Sequence, residues 1–158
     1  IYAILKNKEK MKLVKTNNTN KDFLNLSRSL DKDLYYRYRV QEKEYNEHNQ
    51  LESIQTVLVG YIRNQAVACG CFKDINNQTV EIKRIYVNEK NRGKGFSYLL
   101  LGELEKWANE LGYSKAILEM GKGQTEALGL YSKCHYKIIA NYGPYKNLDN
   151  SICMEKTL

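Results

Sequence analysis

The stretch from Glu81 to Leu111 constrains the fold of this chain more than any other. It opens with Glu81-Ile82-Lys83-Arg84-Ile85-Tyr86-Val87, rich in β-branched and aromatic residues, which reads as a strand. A turn, Arg92-Gly93-Lys94-Gly95-Phe96-Ser97, follows. Phe96, Leu100, Leu104, Trp107, Ala108 and Leu111 then recur at helical spacing, which predicts an amphipathic helix from about Lys94 to Leu111. Gly112 stands where a helix end takes a left-handed residue. A helix entered through such a turn presents N–H groups with no intrahelical partner, together with the positive end of its dipole. The glycines permit close approach, and Arg92 and Lys94 add charge, so the unit is suited to holding phosphate.

The strand carries a second signal. Its apolar residues are Val80 and Ile82, then Ile85 and Val87, so their parity flips across Lys83-Arg84. Parity decides which face of a sheet a side chain occupies. One extra residue, a β-bulge, restores a continuous apolar face. A strand buried on both faces is the alternative, because parity then carries little meaning.

At 158 residues the chain is long enough for one domain with a substantial core. The expected division is an N-terminal extension, residues 1–10, followed by a domain over 11–158 that opens with the strand Met11-Lys12-Leu13-Val14-Lys15. The formal net charge of +7 is scattered among acids, so no dedicated nucleic-acid surface is expected, whereas an anionic small ligand is favoured. No apolar run approaches the roughly 20 residues of a membrane span. Cys69 and Cys71 point to one face of an apolar run and read as buried free thiols. Neither His48 nor His135 has the spacing to join them as a ligand, so no metal is expected, and a reducing cytoplasm is the expected compartment.

Phe23, Leu26, Leu30 and Leu34 recur at helical spacing, and Asp31-Lys32-Asp33 is expected to break or bend that helix. Tyr35, Tyr36, Tyr38 and Tyr45 mark a second, polar helical stretch ending near Asn46. Thr56–Tyr61 and Ala66–Phe72, joined by Arg63-Asn64-Gln65, read as a β-hairpin. The turn Asp74-Ile75-Asn76-Asn77 then leads into the Glu81 strand, completing an antiparallel meander. Lys115–Met120 reads as a buried strand after the helix, and a strand–helix–strand crossover makes the two flanking strands parallel. Ala127, Leu130, Tyr131 and Cys134 share a helical face, at the cost of Gly129 inside it, about 1 kcal/mol. Ile138-Ile139 and a loop with Tyr142-Gly143-Pro144-Tyr145 precede a final strand, Ser151–Lys156.

The turn is neither a Walker loop nor a dinucleotide fingerprint, since Tyr98 occupies the place of the third glycine. Arg92-x-x-Gly95-x-Ser97 resembles the Arg/Gln-x-x-Gly-x-Gly/Ala signature of the GNAT superfamily of N-acetyltransferases, with Ser97 at the last small position. A second stretch, Gln124-x-x-Ala127-x-x-x-Tyr131 followed by His135-Tyr136, resembles that family's Asn-x-x-Ala-x-x-x-Tyr and Gly-Phe. Gln124 replaces the asparagine, and His135 replaces the helix-ending glycine. The resemblance runs over nearly the whole chain from Met11.

It implies an α/β (α+β) fold: a mixed, mostly antiparallel sheet with helices on both faces, bulged in its fourth strand and splayed at a central parallel pair. It implies acetyl-CoA as cosubstrate, its pyrophosphate held by Arg92, Gly93, Lys94, Gly95, Phe96 and Ser97. Its pantetheine arm would lie against Ile85, Tyr86 and Val87, with Gln124 also in contact. The acceptor would be an amine of unassigned identity, approached by the first two helices and the Tyr142 loop; a homodimer is within the expectation. Acyl transfer needs a base, an oxyanion donor and an acid. By the resemblance these are Glu81, the Val87 N–H and Tyr131. Bland alternatives stand beside them: Glu81 as a structural carboxylate paired with Lys83 or Lys137, and Tyr131 as a core tyrosine. Two other classes are also open, a non-catalytic acyl-CoA-binding module and a nucleic-acid-binding protein.

Overall fold

The computed structural model describes residues 9–38 and 53–158. In chain order the elements are β1 (Lys12–Thr16), α1 (Lys21–Tyr38), β2 (Thr56–Ile62), β3 (Gln65–Asp74), β4 (Thr79–Val87), α2 (Phe96–Glu110), β5 (Lys115–Gly121), α3 (Thr125–Lys133), β6 (Lys137–Ile139) and β7 (Ser151–Thr157). Short 3₁₀ turns lie at Glu89–Asn91 and Gly143–Tyr145. The strands form one seven-stranded sheet in the order β1-β2-β3-β4-β5-β7-β6. Among the described residues only β4 and β5 are parallel, and the other neighbouring pairs are antiparallel.

Local chemistry sets these elements. Arg63 and Asn64 both take positive φ, 48° and 63°, so the β2–β3 hairpin closes on two residues and Gln65 already belongs to β3. Asn20 caps α1, its Oδ1 accepting from the Phe23 N–H at 3.0 Å. The break expected at Asp31-Lys32-Asp33 does not occur, and α1 runs unbroken to Tyr38. The reason is tertiary. Asp31 pairs with Arg84 of β4 and Asp33 with Arg92 beyond it, so both acids face partners across the sheet. Tyr35, Tyr36 and Tyr38 thus close α1 rather than open a new helix, while Tyr45 and Asn46 lie outside the described residues.

The bulge expected from parity is present. Cys69 pairs with Tyr86 and Cys71 with Lys83, so β4 carries one more residue than β3 over this step. Arg84 takes φ 60° there. Gly70 makes the bulge feasible: a Cβ on it would meet Ile85 Cδ1 at 2.7 Å and Leu104 Cδ1 at 3.0 Å. Ile85 therefore packs over a bare backbone. Val80, Ile82 and Val87, with Ile85 against them, join one core cluster with Leu100, Leu101 and Leu104 of α2. Tyr86 points the other way, into a second cluster formed with Phe23, Leu26, Val57, Val59, Cys69 and Cys71 beneath α1. The sheet is thus covered on both faces.

Candidate active site

The β4–β5 ladder pairs Thr79 with Lys115, Val80 with Ala116 and Glu81 with Ile117, and then stops. β4 continues to Val87 and β5 to Gly121 without pairing, so the strands splay. The Asn88 N–H bonds to Val67 O of β3 at 2.8 Å. Backbone direction alternates along a strand, so the N–H and carbonyl of Val87 point to the opposite, splayed side. The Val87 carbonyl accepts there from Arg92 Nε at 2.9 Å.

A groove of about 650 Å³ occupies the splay and extends to the start of α2. Leu30, Asp33, Leu34 and Arg37 of α1 form one wall and Ala127, Leu130 and Tyr131 of α3 another, with Ile85, Tyr86 and Val87 between. At its end the backbone winds through Gly93 (φ 73°) and Gly95 (φ 82°) into α2. A Cβ at either glycine would meet no atom within 4 Å, so it is backbone conformation that requires glycine here. The first N–H groups of α2 lack intrahelical acceptors. They face a groove also bordered by Arg92 and Ser97, an arrangement that fits an anion such as a diphosphate.

The turn residues divide by what their side chains do. Arg92 holds the turn in place, bonding Val87 O and, at 2.6 Å, Asp33 Oδ2. Lys94 donates to Asn91 Oδ1 at 3.0 Å and does not border the groove. The Phe96 ring is buried in the α2-side core, so only its backbone is available to a ligand.

A smaller cavity of about 70 Å³ adjoins the groove and shares Leu30, Leu34, Ile85, Gln124 and Tyr131 with it. Its floor holds Glu81 and Lys83, both buried. Lys83 Nζ donates to Glu81 Oε1 at 3.1 Å and to the Tyr145 hydroxyl at 3.4 Å; the Tyr142 hydroxyl donates to Glu81 Oε2 at 2.7 Å. Burial, and after it the Glu81 carboxylate, push the Tyr142 hydroxyl far above its ordinary range. Glu119 of β5 also lines this cavity and accepts from Ser151 Oγ at 2.8 Å. Tyr131 stands at the junction, 8% exposed, its ring edge-on to Tyr136. Burial is the main cause that raises its hydroxyl, which stays protonated through the neutral range. His135 ends the preceding helix with φ 70°, the left-handed residue expected of it.

The sequence-predicted residues thus gather around two connected cavities. Glu81 lies on the smaller one, Ile85, Gln124 and Tyr131 on both, and Tyr86, Val87, Arg92, Gly93, Gly95 and Ser97 on the larger. Lys94 and Phe96 border neither. Sequence reasoning missed Asp33, Arg37, Tyr98, Glu119 and Lys133. Glu119 had a signal, a lone acid inside the apolar run Ala116–Met120. Arg37 had none: it reaches across the groove to Glu126 and to Gly123 O.

Among the described residues no group of side chains could hold a metal ion, and no helix is long and apolar enough to cross a membrane. The sheet thus opens at its parallel β4–β5 pair, with the start of α2 at the mouth of the opening. The chain belongs to the acetyltransferase (GNAT) family, whose sequence model matches residues 22–136. It is 32% identical over 120 residues, 71% of this chain and 78% of the other, to an IAA acetyltransferase of Azospirillum brasilense. Its fold is similar to that of a Klebsiella pneumoniae protein named as an acyl-CoA N-acyltransferase, with TM-score 0.77, 27% identity and coverage of 94% of this chain and 97% of that one. A GNAT family acetyltransferase of Elizabethkingia anophelis with acetyl-CoA bound has the same fold at TM-score 0.70 and 19% identity, over 94% of this chain and 98% of that one. Acyl transfer is the activity class this membership gives the chain.

Proposed function

We propose that the chain transfers the acetyl group of acetyl-CoA to a primary amine, by direct attack within a ternary complex. The observation that carries this reading is the continuity of the groove. It runs from the helix start at Gly95, past the unpaired edge of β4, to Tyr131, where the second cavity meets it. Pyrophosphate sits on the N–H groups at the start of α2, and the pantetheine amides bond the edge of β4 much as a peptide adds to a sheet. The acceptor enters through the smaller cavity.

The amine nitrogen attacks the thioester carbonyl carbon, and its proton passes to Glu81, directly or through water. The Val87 N–H, on the splayed side of β4, donates to the oxyanion. As the carbon–sulfur bond breaks, the Tyr131 hydroxyl protonates the departing thiolate. The proton held by Glu81 returns to solvent, and solvent restores the proton on Tyr131, so charge balances over the cycle.

A non-catalytic acyl-CoA-binding module on the same fold is the rival reading. Calorimetry with acetyl-CoA, followed by thiol release on a panel of primary amines, separates the two. Binding with amine-dependent thiol release supports the enzyme. Binding with no turnover on any amine favours the rival.

A further inference from the structure

The cationic side chains that border the larger groove are Arg37, Arg92 and Lys133. The first two are committed, Arg37 to Glu126 and Arg92 to Asp33. Lys133, exposed in the last turn of α3, makes no ion pair among the described residues. One turn earlier on the same helical face is Gly129, also on the groove. A Cβ there would meet no atom within 4 Å, and no positive φ requires a glycine. The protein's own packing therefore does not account for a residue that weakens the helix. Tyr98, in the first turn of α2, borders the same groove with 54% of its surface exposed.

Coenzyme A carries a diphosphate and, on its ribose, a separate 3′-phosphomonoester. With the diphosphate on the start of α2, as in the function proposed above on which this inference rests, the ribose must leave between Tyr98 and the Gly129–Lys133 face. We infer that Lys133 binds the 3′-phosphate of the acyl donor and that Gly129 keeps the face of α3 clear for the ribose. The site then distinguishes coenzyme A esters from their 3′-dephospho analogues. It does so through the one cation on the groove, among the described residues, that no carboxylate already holds.

The test is calorimetric titration of the full chain with acetyl-CoA and with 3′-dephospho-acetyl-CoA. The wild type is expected to bind acetyl-CoA about tenfold more tightly, the scale of one charge-assisted contact at an exposed site. Lys133→Ala should weaken acetyl-CoA about tenfold and leave the dephospho analogue unchanged, while Lys133→Arg keeps the preference. Gly129→Ala should raise the melting temperature, as an open helix position gains a better helix former, and yet weaken both donors. A preference that survives Lys133→Ala, or a wild type with no preference, overturns the assignment of Lys133. A Gly129→Ala variant that binds both donors normally overturns the path of the ribose. Failure of the wild type to bind acetyl-CoA at all removes the donor reading itself and this inference with it.

Discussion

Lys83 Nζ lies 3.1 Å from Glu81 Oε1 with the two side chains 4% and 5% exposed, so an ion pair is buried in the floor of the smaller cavity. Such a pair adds little net stability, yet removing one partner leaves an uncompensated buried charge. Lys83→Met is expected to destabilise the fold by about 3–5 kcal/mol. The double variant Glu81→Gln/Lys83→Met should lose less than the sum of the single losses. Urea unfolding of all four proteins gives the coupling, and strict additivity would show that the pair does not act as a unit.

Tyr131→Phe separates chemistry from packing. The ring and its edge-on contact with Tyr136 remain, and only the hydroxyl is lost. If Tyr131 is the acid, turnover falls by about 10²–10⁴. Acetyl-CoA binding changes by no more than about 1 kcal/mol. Near-normal turnover with a lowered melting temperature would make the hydroxyl structural and leave protonation of the thiolate to solvent.

Gly95→Glu should abolish acetyl-CoA binding. Gly95 holds φ 82°, which a side chain strains, and glutamate adds a negative charge at the helix start. Circular dichroism checks that the fold persists and calorimetry reads the affinity. Unchanged affinity in a folded variant rules out this turn as the diphosphate site.

Asp33 neutralises Arg92 beside the proposed diphosphate site. A partly exposed pair of this kind is worth about 0.2–1 kcal/mol. Asp33→Asn should therefore tighten acetyl-CoA binding by up to about fivefold, with the gain shrinking at high salt. Weaker binding would mean that Asp33 serves to hold Arg92 in its bound position.

Burial pushes the Cys71 thiol up from 9.0 to about 12. A folded-state value above the unfolded one means that the native state holds the proton more tightly. The associated stability is complete below about pH 9, the unfolded value, and is lost progressively as pH rises toward the folded one. The unfolding free energy should fall between about pH 9 and about pH 12, and Cys71→Ala should flatten the profile. A profile unaltered by that substitution assigns the alkaline loss to other groups.

The strand–turn–helix at Glu81–Glu110 and the bulge inside it were legible because their signals are local. Parity, helical spacing and glycine placement all lie within a few residues of the features they specify. The fate of Asp31 and Asp33 was not legible, because the arginines that hold them come from β4 and the turn beyond it. The same holds for Glu81. Its sequence admitted Lys83 or Lys137 as partner, and the fold supplies Lys83 together with Tyr142 from the far end of the chain. Arg92 looked like a cation free for phosphate, yet much of its hydrogen bonding is internal. Local periodicity placed the site, while the commitments of individual charges depended on contacts that periodicity does not encode.

The ladder between β4 and β5 ends at Glu81 and Ile117, so the strands β1–β4 and the strands β5–β7 meet along a very short seam. Mechanically the sheet is two plates riveted at one corner. A molecule lying in the gap and bonded to both edges works as a splint. Occupancy should then register well away from the groove, as slower amide exchange in β7, whose only link to β4 in the sheet runs through β5.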